Sequence, residues 1–306
     1  VTGEFATIRR LVDLLPPPRP GAVSPGEVWI GDDAAALRTP QAPWLLLAAD
    51  AVVAGVHADL ALTTLEDLGW KAIAVNLSDI AAMGGTPRYA LVTVAGDPAF
   101  DLDALYRGIA AAVDAFGCPV VGGDMSNGPG LVVGVSVTGT TDTRPVRRSG
   151  AAPADGIWVT GPLGASAAGL RVLRAGPPAE GTDALVAAHA RPVPRLREGL
   201  AAAAAGATAM IDVSDGLAAD LGHIADASGL GYELHALPVA DGATVEEALG
   251  GGEDYELVFC APDTGAVEVA FDGLAAPIRI GRCVPDRSRR LWDSQPIDSG
   301  GWQHRW

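Results

Sequence analysis

Positive charge is scarce in this sequence. Its 21 lysines and arginines face 37 acids, a formal net charge of −16, and Lys71 is the only lysine. Nucleic-acid backbones are bound by basic surfaces, and no Lys/Arg stripe interleaved with aromatics runs through the chain, which argues against nucleic acid as a partner. An anionic small ligand would need cations to mediate its binding. The dominance of arginine over lysine reads as compositional bias. Cysteine is also sparse: Cys118, Cys260 and Cys283 are odd in number, widely spaced and set in apolar or strand-like contexts. That argues against a disulfide framework and fits buried thiols in a reducing compartment, the cytoplasm. Long apolar runs are missing too. No segment approaches the roughly 18 uninterrupted apolar residues of a membrane span. The opening stretch VTGEFATIRRLVDLL repeats Phe5, Ile8, Leu11, Val12 and Leu15 at helical spacing, and its acids contradict a secretory n-region.

What is present is the material of a globular protein. The 306 residues are 49% hydrophobic and 19% charged, enough for two domains with a core each. After the Pro/Gly-rich LPPPRPGAVSPGE come strand patterns at VWI, WLLLAAD, YALVTVA, PVVGGD and GLVVGVSVTGT, with helices over about Thr64 to Met83 and in LDALYRGIAAAVDAF. Pro, Gly and charge then concentrate near residues 142 to 155, which sets expected domains at 1–146 and 147–306. The second half starts afresh with GIWVTG, an Ala-rich helical region broken at RPVPR, a strand, turn and helix in AMIDVSDGLAADLGHIADASGLG with Ser214 or Asp215 as N-cap, and a loop and strand in EALGGGEDYELVFCAP. Strands alternate with helices in both halves, so each is α/β or α+β.

Acids recur where strand patterns stop. Asp32 and Asp33 follow VWI, Asp50 follows LLLAA, Asp124 follows VVGG, Asp212 and Asp215 sit in MIDVSDG, and Asp79 lies in the helical AVNLSDIAAMGG. Each is flanked by apolar or glycine residues, whereas a solvated acidic face would be flanked by polar ones. Buried carboxylates are costly unless paired or protonated, and basic residues are nearly absent from these segments. A single acid of this kind is ordinarily a cap or turn former. Seven together point to a bound metal, and an all-oxygen ligand set without a His/Cys cluster selects a hard ion, Mg²⁺ where phosphates share the coordination. VTGPLGASAAGL follows a strand and opens a helix. Its backbone N–H groups either cradle a phosphate or form a tight turn, since the Gly-Lys-Ser/Thr of a P-loop is missing. VVGGDMSNGPG either wraps a nucleotide or makes a hairpin connection.

GEFATIRRL, GDDAAAL, DLGWKAIAVNLSDIAAMGGTPRYALV, VVGGD, RRSGA, VTGPLGASAAGL, IDVSDGLAADLGHI and GGEDYELVF occur in this order over nearly the whole chain, which resembles the bacterial thiamine-monophosphate kinases. The resemblance implies an N-terminal α/β domain that dimerises through its sheet, a C-terminal α+β domain, and a homodimer binding ATP, thiamine phosphate and several Mg²⁺ ions. It implies Asp33, Asp50, Asp79, Asp124, Asp212 and Asp215 as metal ligands, with Asp33, Asp79 and Asp212 central to catalysis. Asp32 is a lesser candidate. Tyr106, Gly123, Asp124, Arg148 and Ser214 match ATP-contacting positions, and His57, Glu253 and Trp302 match substrate positions. On their own residues, His57 reads as a loop histidine capping a turn and Trp302 as a packed tail aromatic. The family's hydroxyl residues before Asp50 are Ala48 and Ala49 here, leaving only backbone carbonyls as ligands, and its Thr after GGD is Met125. Lys71, four residues after Asp67, reads as half of an i,i+4 ion pair. The nearest rivals are aminoimidazole ribonucleotide synthetase and a non-catalytic nucleotide or cation sensor on the same fold.

Overall fold

Two β-sheets, each with its own apolar core, take up the strands of the chain in a computed structural model that describes residues 24–39, 44–297 and 301. The amphipathic N-terminal stretch and Trp302 lie outside the described residues. The first sheet comprises β1 (Ala35–Leu37), β2 (Trp44–Val53), β3 (Thr86–Gly96), β4 (Val120–Asn127) and β5 (Val132–Thr141), in the order β1-β2-β5-β3-β4. All neighbours are antiparallel except β3 and β4. Alternation decides its faces: Leu46, Ala48 and Val52, Ala90, Val92 and Val94, and Val133, Val135 and Val137 point inward, where α1 (Leu65–Ala82) and α2 (Leu102–Phe116) cover them. Leu47, Tyr89 and Leu91 project from the opposite, exposed face.

The second sheet comprises β6 (Gly156–Val159), β7 (Ala209–Asp212), β8 (Gly231–Leu234), β9 (Leu257–Ala261), β10 (Ile278–Val284), β11 (Arg290–Trp292) and β12 (Gln295–Pro296), in the order β12-β11-β8-β10-β6-β9-β7. Only β8 and β11 run parallel. One face packs on α6 (Leu217–Ser228) through Leu217, Leu221 and Ile224. On the other, Trp158, Met210 and Phe259 meet α5 (Leu196–Ala204), α8 (Thr264–Ala270) and Ala81 and Ala82 of α1. Between β6 and α5 lie α3 (Ala165–Ala175) and α4 (Asp183–Ala190), and α7 (Val245–Gly250) precedes β9. The architecture is mixed α/β, as the alternation of elements implies. No helix among the described residues is long and apolar enough to cross a membrane.

Three local readings change. VWI forms only isolated bridges, Val28 to Ala36 and Ile30 to Asp32, rather than a strand. Asp50 and Asp124 lie inside β2 and β4 instead of ending them, because both ladders continue past the acid. The N-cap of α6 is Gly216 with no side-chain bond. The carboxylate of Asp220, one turn into the helix, accepts from the N–H groups of Asp215 and Gly216 instead.

α1 is buried along most of its length because both halves pack on it. Thr64 caps it by accepting from the Asp67 N–H. Against α2 the helices approach to glycine distance: a Cβ on Gly69 would sit 2.1 Å from the Leu105 carbonyl oxygen, and one on Gly108 would sit 1.7 Å from that of Glu66. Neither backbone can yield without separating the helices. Gly108→Ala should therefore lower stability by about 1–3 kcal/mol, although alanine is the better helix former by nearly 1 kcal/mol. Thermal melting checks this, and an unchanged or raised midpoint would contradict the close approach.

Candidate active site

Elements from both sheets bring three acids together. Asp33 stands two residues before β1, Asp79 lies in the last turns of α1, and Asp212 ends β7. One carboxylate oxygen from each lies within 4.8 Å of the other two. Asp33 and Asp212 are buried and Asp79 is half-buried. Ser78 donates to Asp212 Oδ2 at 2.6 Å, and Asn76 Oδ1 accepts from the Asp50 N–H at 2.8 Å while its amide donates to the Ala72 carbonyl. NLSD therefore aligns two neighbouring acid-bearing segments as well as supplying Asp79.

Arg148 partly offsets the negative charge. Its Nη2 donates to Asp33 Oδ1 at 2.7 Å, and its backbone N–H donates to the Asp32 carboxylate at 3.1 and 3.2 Å. Burial, the largest single effect, would lower the guanidinium pKa, but the charge and hydrogen bond of Asp33 together with the charges of Asp32 and Asp212 outweigh it and raise the value. The absence of basic residues from the acidic segments thus holds for sequence neighbours and not in space. One guanidinium still leaves the cluster strongly acidic. Burial, then the charges of Asp212, Asp33 and Asp50, drive Asp79 well above the carboxylate range. Burial, then Asp33, lift Asp212 to about 7, and burial, then Asp33, lift Asp32 to about 6.

Asp33 Oδ2 is buried with no hydrogen-bond partner. An orphaned carboxylate oxygen beside two more carboxylates is a donor set suited to a hard divalent cation. Ala48 and Ala49 lie past the end of the β1–β2 pairing and line, with Asp32 and Asp33, a mainly apolar cavity of ≈ 350 Å³ that Trp29, Ile30 and Leu47 also wall. Asp215 is half-buried at the start of α6, and Gly301 packs against its carbonyl and the Ala219 methyl.

Other residues stand apart. Asp50 pairs with Val135, Val135 with Val92, and Val92 with Gly123, so three strand spacings separate Asp50 from Gly123. Gly123 and Asp124 are therefore about 14 Å from Asp50 in the same chain, on an exposed edge strand where Asp124 accepts from the Ser126 hydroxyl at 3.3 Å. A Cβ on Gly123 would strike the Val92 carbonyl oxygen at 1.7 Å. Tyr106 is exposed on α2. His57 Nδ1 accepts from the Val53 N–H at 3.1 Å, the turn-capping arrangement. Ser214 is half-buried, and its carbonyl accepts from the Glu253 N–H at 2.7 Å.

The glycine-rich loop takes the second of its two readings, the tight turn, and the Lys71 pairing is corrected. The amides of GPLGAS are taken by the chain's own Asp254, whose oxygens accept from the Gly164 N–H at 2.6 Å and the Ser166 N–H at 3.0 Å, so the loop is a capped strand-to-helix turn. Lys71 does not pair with Asp67. Asp67 bonds Thr64 and Arg191, while Lys71 donates to both oxygens of Glu253, 182 residues away. Sequence reasoning passed over Asn76, Ser78, Asp220 and Asp254. The signal for Asn76 and Ser78 was their place beside Asp79 in an otherwise apolar helix.

The acid cluster has a consequence for stability. A carboxyl whose folded pKa exceeds its unfolded 3.8 keeps a proton that the unfolded chain releases, so the cluster subtracts stability as pH rises from about 4 to about 7. Asp212→Asn, in chelator, should be more stable than the parent at pH 8 by on the order of 2 kcal/mol and show no such gain at pH 4.5. Melting curves at both pH values decide it; equal loss at both would contradict the repulsion.

The chain matches the family models described as AIR synthase related protein, N-terminal domain, over residues 31–141, and AIR synthase related protein, C-terminal domain, over residues 152–293. It is 41% identical to the thiamine-monophosphate kinase of Salmonella typhimurium, over 99% of this chain and 98% of that one. Its fold superimposes with a TM-score of 0.87 on a solved structure of AaThiL complexed with AMPPCP and TMP, at 32% identity over 99% of this chain and 97% of the other. It superimposes with a TM-score of 0.77 on thiamine-monophosphate kinase from Stenotrophomonas maltophilia K279a, at 33% identity over 96% and 98%. The chain belongs to the thiamine-monophosphate kinase family, among the AIR synthase related proteins.

Proposed function

We propose that this protein transfers the γ-phosphoryl group of ATP directly to thiamine phosphate, giving thiamine diphosphate and ADP. The observation that carries the reading is the Asp33–Asp79–Asp212 constellation with its orphaned buried oxygen, in a chain of this family. The nucleophile is a phosphate oxygen, ionised at neutral pH, so no general base is needed. The obstacle is repulsion between two polyanions: one pair of unit charges about 4 Å apart costs about 4 kcal/mol at an effective dielectric near 20, and several such pairs meet. The residues that would hold Mg²⁺ are Asp33, Asp79 and Asp212, with Asp50, Asp215 and the carbonyls of Ala48 and Ala49 alongside; bound there, the ions supply positive charge to the phosphoryl oxygens. Arg148 adds a fixed guanidinium whose planar fork suits phosphate. Ser214 would border the nucleotide, and His57 and Glu253 would border thiamine phosphate, the role also proposed for Trp302.

We further infer a homodimer formed through the uncovered face of the first sheet, with domains at 1–146 and 147–306. Leu47, Tyr89 and Leu91 are 38%, 56% and 48% exposed on that face. Such a run of apolar residues marks an interaction surface. Across this dimer, Tyr106, Gly123 and Asp124 of one subunit would serve the nucleotide site of the other, which accounts for their distance from Asp50 within one chain. The three buried free cysteines suit the cytoplasm.

Purified protein given ATP, Mg²⁺ and thiamine phosphate should form thiamine diphosphate and ADP in equal amounts, with no phosphorylated protein trapped by rapid quench. Asp79→Asn should lower turnover on the order of 100-fold or more. ATP binding without product would contradict the reading. Tyr89→Glu with Leu91→Glu should convert a dimer to a monomer in light scattering; an unchanged mass would exclude this face.

A further inference from the structure

Lys71 sits in the apolar middle of α1, 2% exposed, and its ammonium donates to Glu253 Oε2 at 3.0 Å and Oε1 at 3.1 Å. No other carboxylate among the described residues pairs with it. A buried ion pair of this kind contributes no more to folding than well-packed apolar side chains of the same volume. What the ammonium adds, and a methionine would not, is a fixed direction for the carboxylate.

Glu253 is held with equal care on its backbone side. Its φ of +66° is left-handed, a conformation a non-glycine residue adopts at a cost and keeps only where its surroundings enforce it. The enforcement is a short ladder: the Glu253 N–H donates to the Ser214 carbonyl at 2.7 Å, the Tyr255 N–H to that of Val213 at 2.9 Å, and the Val213 N–H to that of Glu256 at 2.7 Å. The segment is thereby stitched to the residues that leave Asp212. Its side chains then divide. Asp254 caps α3, Tyr255 enters the first core, and Glu256 binds Arg195 and Thr160. The Glu253 side chain stays partly open, at 26% exposed. Burial raises the Tyr255 phenol well above its ordinary value, and the charges of Glu253, Asp50, Asp212 and Asp79 add to this, which places Glu253 and the acid cluster around one residue.

His189 completes the surround. Its Nδ1 lies 3.1 Å from Ser166 Oγ and 3.5 Å from Glu253 Oε2. Burial, then the neighbouring Lys71 charge, lower its pKa to about 4, so the ring is neutral at pH 7. One cation therefore faces one anion, and the neutral His189 ring adds no second charge beside Glu253.

We propose that Lys71 and His189 are positioning residues for Glu253, fixing its carboxylate to accept a hydrogen bond from the amino group of the pyrimidine of thiamine phosphate. The proposal rests on the assignment of Glu253 to the substrate side of the site.

Steady-state kinetics with both substrates varied separate the roles. Glu253→Gln should raise KM for thiamine phosphate about tenfold and leave KM for ATP within about twofold. Lys71→Met should do the same, and Lys71→Arg, which restores the cation, should recover part of the loss. The double variant Lys71→Met/Glu253→Gln buries no charge at this pair, so it tests the idea even if Lys71→Met does not fold. It should match Glu253→Gln alone, because the lysine acts only through the glutamate. His189→Gln should shift the same KM in the same direction by a smaller factor. If Glu253→Gln raises KM for thiamine phosphate but the double variant loses a further tenfold, or folded Lys71→Met is unaffected, positioning is overturned. If Glu253→Gln itself leaves that KM unchanged in an active enzyme, the substrate assignment falls instead, and the proposal with it.

Discussion

Carboxylates that repel one another are held together here by packing that has nothing to do with them. Asp33, Asp79 and Asp212 come from a loop, a helix and a strand end, and their oxygens stand within 4.8 Å. What brings them there is α1, buried between two cores. Its glycine contact with α2 and its inward face fix it to the first sheet, while Ala81 and Ala82 pack on Phe259 and Met210 of the second. Hydrophobic burial supplies the free energy, and the acids use it up locally. The site is therefore an electrostatic debt against a well-packed interior, relieved in part by Arg148, and cations at the proposed ligands would relieve the rest.

The same helix ties the halves by polar contacts along its length. Glu66 and Asp67 bind Arg191, the Trp70 indole N–H donates to the Pro192 carbonyl at 2.8 Å, Lys71 binds Glu253, and Ser78 binds Asp212. These positions recur at three- to four-residue and seven-residue spacings, so one stripe of α1 faces the second half while the rest faces the first. Moving α1 relative to β7 would move Asp79 relative to Asp212, and with it the geometry available to phosphates. The segment 253–256 works from the other side, with four consecutive side chains each committed to a different element.

Much of this was legible in the sequence where physics is local. The buried-strand pattern of WLLLAAD and the strand pattern of GLVVGVSVTGT marked β2 and β5, the Thr64 to Met83 pattern marked α1, and acids in apolar company marked the cluster. What was not legible depends on partners far along the chain. Arg148 meets Asp33 across 115 residues, Asp254 meets Gly164 across 90, and Lys71 meets Glu253 across 182. No spacing rule reaches that far. Lys71 and Asp67 sat at the right interval for an ion pair, yet tertiary partners of better geometry claimed both. Asp50 and Asp124 were misplaced at strand ends because an acid looks like a terminator until the register past it is known.

The most direct test of the central claim is to locate a bound cation. Crystals of the protein grown with Mn²⁺ in place of Mg²⁺ should show an anomalous peak bounded by oxygens of Asp33, Asp79 and Asp212, at the roughly 2.0–2.2 Å typical of small divalent ions. Mn²⁺ absent from that triangle, with the three carboxylates pointing apart into solvent, would contradict it.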